Sequence, residues 1–135
     1  MSPEPEYDSS RQRLTEIRQT LLDLHKAVLD SERTAYEITH GPIGSPAAFL
    51  QLLINDASFA WLRPLTSLVV QIDETLAAKK PPASALDFDR LVVDTGALLS
   101  PSREEDGFWS RYQNAIDRDP GVAILHVQIR KQLGS

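Results

Sequence analysis

Residues 46–76, PAAFLQLLINDASFAWLRPLTSLVVQIDETL, carry the densest aliphatic content of the chain and decide its fold class. Apolar residues recur here every three or four positions, which is the period of an α-helix. Ser45 followed by Pro46 predicts a helix start, because serine caps an N-terminus and proline fits the first turn. Asp56 or Ser58 can cap the next helix, and Pro64 then leaves two alternatives: a short turn that ends near Trp61, followed by a new helix with Pro64 in its first turn, or one helix with a kink at Pro64. The uninterrupted apolar period after Pro64 favours the new helix.

The chain upstream of this stretch predicts one long helix from Asp8 or Ser9 to His40, behind a flexible tail of residues 1–7. Gly41 is placed to end the helix, because glycine readily adopts the left-handed conformation of a C-terminal cap. Two adjacent apolar columns indicate packing against two neighbours, whereas one column would suit a surface helix or a dimer seam. The first column has heptad spacing and comprises Leu14, Ile17, Leu21, Leu24, Val28, Ser31 and Ala35, and the second comprises Leu22, Leu29 and Tyr36.

The chain downstream of residue 76 predicts three further helix starts. Ser84 can cap one helix with Asp87 in its first turn, and residues 102–105, SREE, form a capping-box pattern that opens another. Asp119 followed by Pro120 predicts the start of the last helix. No alternating strand pattern appears. The sequence therefore predicts an all-α fold, a single-domain bundle of five or six helices over residues 8–135.

Composition limits the classes of function. With 135 residues the chain fits one domain, and 0 cysteines exclude disulfides, thiolate metal sites and a cysteine nucleophile. A net charge of −5 argues against binding to a nucleic-acid backbone. The N-terminus lacks the apolar core of a signal peptide, and no apolar run is long enough to span a membrane. We expect a cytoplasmic protein with neither nucleic acid nor a membrane as a partner.

The motifs of common enzyme classes are absent from the sequence. No phosphate-binding loop, dinucleotide fingerprint, nucleophile elbow or zinc-protease signature occurs, and the two Glu-x-x-His motifs that a di-iron site needs on paired helices are not present together. Of the three histidines, His40 is placed near a helix C-terminus, and His126 is expected to face solvent or cap a helix. We assign no catalytic residue, metal or cofactor, and the sequence favours a function other than catalysis.

One polar cluster is predicted at the core. A helical wheel places His25 and Glu32 inside the apolar arc of the first helix and Asp73 inside that of the helix after Pro64. Buried charges need partners, so we expect these residues to pair with each other or with further polar side chains. The candidate partners are Arg63, Tyr36, Thr66 and Arg33. The cluster is either a structural network or a pocket for a metal or small polar ligand. His25 and Glu32 lie about 10 Å apart along the helix, which disfavours a shared metal.

Three segments resemble a family of small, uncharacterised bacterial proteins. The similar segments are LLDLHKAVLDSERTAYEITHGPI at 21–43, LQLLINDASFAWLRPLTSLVVQIDE at 50–74 and GFWSRYQNAIDRDP at 107–120. The middle segment is the most specific. The resemblance implies a bacterial cytosolic origin and an independent domain, and it supplies no catalytic residues.

These observations favour a small helical binding or regulatory module that takes a protein partner or a small ligand. Its candidate ligand-binding residues are His25, Glu32, Arg63 and Asp73. Trp61 lies off the main apolar stripe and is the candidate contact for a partner or a homodimer. One alternative is a metal- or polar-ligand-binding protein or enzyme that uses the predicted cluster. Another is a structural dimerisation module, based on the heptad of the first helix.

Overall fold

The fold is all-α. A computed structural model describes residues 5–102 and 107–134, and an isolated bridge between Lys79 and Pro82 is the only strand-like pairing in that part of the chain. The predicted fold class is confirmed, but the predicted count of five or six helices is too low, because the apolar stretch contains an extra single-turn helix. The helices are α1 Pro5–His40, α2 Pro46–Asn55, α3 Ala57–Ala60, α4 Arg63–Ala77, α5 Ala85–Leu98, α6 Phe108–Arg118 and α7 Pro120–Leu133.

Local capping chemistry sets three helix starts where the sequence predicts them. The Ser45 hydroxyl accepts a hydrogen bond from the backbone N–H of Ala48 at 3.1 Å and caps α2. Ser84 and Asp87 form a reciprocal capping box at α5, and the Asp119 carboxylate caps α7. Each cap satisfies a backbone N–H that has no partner within its helix.

Helix α1 is longer than predicted at its start and ends as predicted. It begins at Pro5, and the Tyr7 ring packs against Phe88 with the centroids 5.4 Å apart. Residues 5–7, predicted as tail, therefore belong to the helix, while residues 1–4 lie outside the described part. The helix ends at His40, and Gly41 follows with φ +87°, the left-handed conformation expected of a glycine cap.

The two remaining helix starts have different outcomes. Helix α4 begins at Arg63 with Pro64 in its first turn, so the prediction of a new helix is confirmed. Helix α6 begins at Phe108, after Gly107, without a side-chain cap. The predicted capping box falls largely on residues 103–106, which lie outside the described residues.

Helix α1 is the central element of the core. It packs against α3, α4, α5, α6 and α7. The heptad of α1 points into this core, so it forms an internal seam and is not available as a dimer seam. The buried apolar residues are Leu14, Ile17, Leu21, Leu24 and Val28 of α1, with Phe59, Leu62, Leu65, Leu68, Ile72, Phe88, Leu91, Val92, Leu99, Tyr112, Ala115, Val122 and Ile129 from the rest of the chain.

The lengths and polarity of the helices bear on membrane association. Helix α1 has 36 residues and extends over about 54 Å, but charged residues occur along its whole length. Across residues 5–102 and 107–134, no helix combines the length and the apolarity needed to cross a bilayer.

Candidate functional site

A ladder of polar contacts joins α1 to α4. The α1 residues in it are spaced by seven, so they lie on one side of the helix, and each step of seven rises about 10.5 Å along the axis. Their partners occur in the reverse order, because α4 runs antiparallel to α1. The contacts are Arg11 to the Leu76 carbonyl at 2.8 Å, Arg18 to Asp73, His25 to Thr66 at 2.9 Å, and Glu32 to Trp61 at 3.4 Å.

The ladder separates the residues that were predicted to cluster. His25, Glu32 and Asp73 share the α1–α4 seam, as the wheel indicates, but each has its own partner at its own level. A helical wheel records the angle around the axis and discards the height along it, which is why the predicted cluster is wrong. In the described part of the chain, no group of three or more His, Cys, Asp or Glu side chains is placed to hold a metal ion.

Glu32 lies at a junction of three parts of the fold. Its Oε1 accepts from Arg118 Nη2 of α6 at 2.7 Å, and its Oε2 accepts from the Trp61 indole N–H of the α3–α4 turn at 3.4 Å. Arg118 also donates to the Ser31 hydroxyl from two of its nitrogens, at 2.9 and 3.0 Å. The Glu32 side chain is 13% exposed, and both its oxygens already accept protein donors. This arrangement is typical of a structural network.

Trp61 and Asp73 also have partners within the chain. The half-buried Trp61 ring packs against Phe108, with the centroids 5.4 Å apart. Asp73 pairs with Arg18, a partner that the sequence analysis missed although it lies seven residues before His25. The Asp73 side chain is 44% exposed, so the pair lies at the surface of the seam and contributes little to stability.

A groove beside α1 brings together two of the four predicted ligand residues, His25 and Arg63. Its volume is about 400 Å³. Five of its nine lining residues are apolar and are termed its floor, and three of the four polar ones lie in the first turns of α4. The lining residues are His25 and Leu29 of α1, Leu53 and Ile54 of α2, Phe59 and Leu62 around α3, and Arg63, Thr66 and Ser67 of α4.

The protonation of His25 follows from a count of hydrogens. The Thr66 hydroxyl carries one hydrogen, and it donates that hydrogen to the Leu62 carbonyl at 3.2 Å. With the Thr66 hydrogen on the Leu62 carbonyl, the Thr66 oxygen accepts from His25 Nε2, an arrangement that corresponds to the tautomer protonated at Nε2. Burial lowers the pKa of His25 from its ordinary value, so the ring is neutral near pH 7.

Arg63 stands at the mouth of the groove. Its Nη2 donates to the Ile54 carbonyl in the last turn of α2 at 2.8 Å, which holds the guanidinium in place. A guanidinium has five N–H donors, and this bond uses one of them. Among the described residues Arg63 forms no ion pair, whereas Arg18 and Arg118 each bind a carboxylate.

A second cavity, of about 510 Å³, lies between the end of α1 and α2. Two of its titratable side chains, His40 and Asp56, already have partners inside the protein. The His40 ring stacks on Tyr36 with centroids 4.2 Å apart, and the Asp56 carboxylate accepts the Ser58 N–H at 2.8 Å and caps α3. These bonds to Asp56 lower its pKa. The groove beside α1 is therefore the better candidate site, although it is smaller.

Sequence analysis also missed a buried pair between α6 and α7. The Tyr112 hydroxyl and Nδ1 of the half-buried His126 are 2.7 Å apart, so His126 pairs with a side chain of the protein instead of taking the expected solvent-facing or capping role. Burial raises the pKa of Tyr112 and, with a smaller contribution from Arg130, lowers the pKa of His126. Both residues lie seven positions from Asp119 at the α6–α7 connection. Two residues that are equally far in sequence from the connection of two packed helices lie at the same height, and this spacing was the signal in the sequence.

Comparison with known proteins gives no assignment. No known protein family matches this sequence, and neither a curated protein nor a solved structure is detectably similar to it.

Proposed function

We propose that the protein is a binding module whose site is the groove between α1, α2, α3 and α4, and that it takes a small ligand with an apolar body. The observation that carries this proposal is the groove itself, an apolar floor of five side chains with polar groups along one edge. Small-molecule sites combine these features in cavities of roughly 300–1,000 Å³. Burial of a ligand CH₂ group contributes about 0.8 kcal/mol.

The placement of the polar residues supports binding rather than catalysis. An acid–base pair in the groove would need a carboxylate within reach of His25, and the lining residues include none. Glu32 and Asp73 lie at other levels of the α1–α4 ladder and bind Arg118 and Arg18 there. The alternative of a metal site or an enzyme that uses His25, Glu32 and Asp73 together lacks this geometry.

Binding of a neutral apolar dye tests the proposal. N-phenyl-1-naphthylamine should bind saturably, with an increase in its fluorescence. Ser67→Phe places a ring in the groove from a surface position of α4, and we expect it to weaken dye affinity at least tenfold. Glu74→Phe adds the same ring to an exposed position of α4 outside the groove and should leave affinity unchanged. Absence of saturable binding, or equal binding by both variants, would contradict the proposal.

A homodimer through α2 is the second candidate. Helix α2, PAAFLQLLIN, has no charged residue and no buried residue, and Leu50 and Ile54 are 54% and 52% exposed one turn apart. The same uncharged face on a second copy could pair with it across a two-fold axis. Light scattering should then give twice the 15.0 kDa chain mass, and Leu50→Lys should restore the monomer mass. A wild-type protein of monomer mass at high concentration would exclude this candidate.

We also propose that the protein acts in the bacterial cytosol. The lack of cysteine and the resemblance of residues 21–43, 50–74 and 107–120 to bacterial cytosolic proteins support this setting. Fractionation of bacterial cells that express the tagged chain, with compartment markers alongside, tests it. Recovery in the periplasmic fraction would contradict it.

A further inference from the structure

We propose that the ligand of the groove is an apolar monocarboxylic acid, with its carboxylate on Arg63 and its hydrocarbon body on the floor. This inference rests on the proposed function and names the class of ligand. Its first basis is charge. Arg63 is the only formally charged residue among those that line the groove, whereas the chain as a whole carries a net charge of −5. The groove is therefore a locally cationic site in an anionic protein, which favours an anionic ligand group.

The second basis is the geometry of Arg63. Arg63 is exposed, and its bond to the Ile54 carbonyl directs the guanidinium towards the end of α2 and leaves most of its N–H donors unused. Paired N–H donors of arginine match the two oxygens of a carboxylate, and the resulting charge-assisted bonds are stronger than those between neutral groups. A fixed guanidinium also loses less conformational freedom on binding than a mobile one.

The third basis is a count of the remaining donors. The hydrogens of His25 and Thr66 are already used along the path to the Leu62 carbonyl. The Ser67 hydroxyl accepts from the Gln71 amide at 3.2 Å, so its own hydrogen is free to donate. Ser67 and Arg63 lie one turn apart in the first turns of α4, where the helix dipole adds positive potential. The ligand head group is therefore expected at this edge.

The number of charges in the lining defines the class of acid. One guanidinium matches one carboxylate, and the second charge of a phosphate dianion or a dicarboxylate would find no further cation among the residues that line the groove. The rest of the lining offers no charged group, and its apolar side chains suit a hydrocarbon body. The fitting ligand has one carboxylate and an otherwise apolar skeleton. Leu29, Leu53 and Phe59 supply the apolar contacts on three different helices.

Calorimetric titration with octanoate and 1-octanol separates this inference from the proposed function. The two probes share a chain length and differ in head group. We expect octanoate to bind at least tenfold more tightly than 1-octanol at pH 7. Equal affinities would overturn the carboxylate assignment and leave the apolar groove as a site. Failure of both probes to bind would overturn the proposed function and the inference together.

Variants of Arg63 test the role of the guanidinium. Arg63→Gln should abolish the preference for octanoate and leave the affinity for 1-octanol within about twofold, because an amide keeps a donor for the Ile54 carbonyl. Arg63→Lys should keep part of the preference, since the charge remains. Arg90→Gln removes an exposed arginine of α5 outside the groove and should retain the full preference. An undiminished preference in Arg63→Gln would overturn the inference, and so would an equal loss in Arg90→Gln.

Discussion

Two levels of the same helix face, one at Glu32 and one at His25, differ in how their polar groups are used. At Glu32 both carboxylate oxygens accept donors from other parts of the fold, and little of the side chain is exposed. At His25 the single hydrogen bond to Thr66 leaves an apolar groove open beside it. A polar residue in an apolar arc thus has two outcomes. A polar side chain whose hydrogen-bonding groups all have protein partners stabilises the fold. A polar side chain beside an open groove can take part in ligand binding.

The largest expected effect is at the Glu32 level. Glu32→Ala should lower the free energy of unfolding by about 2–3 kcal/mol, because it leaves Arg118 and the Trp61 indole N–H without their acceptor. Arg118 is partly exposed and can reach water, which limits the loss. Urea denaturation monitored by circular dichroism measures it. The control is Glu16→Ala, an exposed position on the same helix, which should change stability by less than about 0.5 kcal/mol. Equal losses of stability in Glu32→Ala and Glu16→Ala would show that the contacts of Glu32 do not stabilise the fold.

The Tyr112–His126 pair extends the comparison to α6 and α7. Tyr112→Phe should lower the free energy of unfolding by about 1–2 kcal/mol, because the buried ring nitrogen of His126 loses its partner. Tyr7→Phe is a matched control, since the Tyr7 hydroxyl forms no hydrogen bond within the described part of the chain, and it should be near neutral. The same urea experiment compares them. If the two substitutions had the same effect, the pair would not be a structural junction.

Asp73 should matter less than the two satisfied junctions. Asp73→Ala should lower the free energy of unfolding by less than about 1 kcal/mol, because the pair with Arg18 is nearly half exposed and solvent screens it. A double-mutant cycle with Arg18→Ala measures the coupling between the two side chains. A loss of about 3 kcal/mol or more would instead support the buried cluster that the helical wheel predicts.

The smallest expected effect is a dependence on pH from the half-buried histidines. Burial lowers the pKa values of His25 and His126, so the unfolded state binds more protons as the pH falls below 6.5. Stability should therefore be lower at pH 5.5 than at pH 7.5. Carboxylates with lowered pKa values, such as Asp87, titrate below this window. Urea midpoints should show a reduced pH dependence in His25→Gln and in His126→Gln. A midpoint that rises as the pH falls would contradict this assignment.

Much of the fold was predictable because caps and periodicity are local. Ser45, Ser84, Asp119 and Gly41 each act on backbone groups a few residues away, and each was identified from sequence. The single turn of α3 was also indicated, by its Asp56 cap and by the favoured alternative of a short turn that ends near Trp61. Of the residues that line the groove, His25 and Arg63 were predicted from sequence as ligand-binding candidates, but Glu32 and Asp73 were grouped with them. That error has a physical origin, because pairing depends on the antiparallel register of α1 against α4, which no single-helix pattern contains.

The α1–α4 ladder also favours one register of the two helices over the others. Apolar contacts at Leu65, Leu68 and Ile72 would survive a slide of α4 along α1 with modest repacking, because one aliphatic side chain can replace another. The polar contacts would not survive it. A slide of one heptad would bring His25 opposite Asp73 and carry Arg18 beyond the end of α4. The four contacts extend over about 30 Å of α1, so any wrong register breaks several of them at the same time. The four contacts together therefore favour one alignment of α1 against α4 and the turn that precedes it.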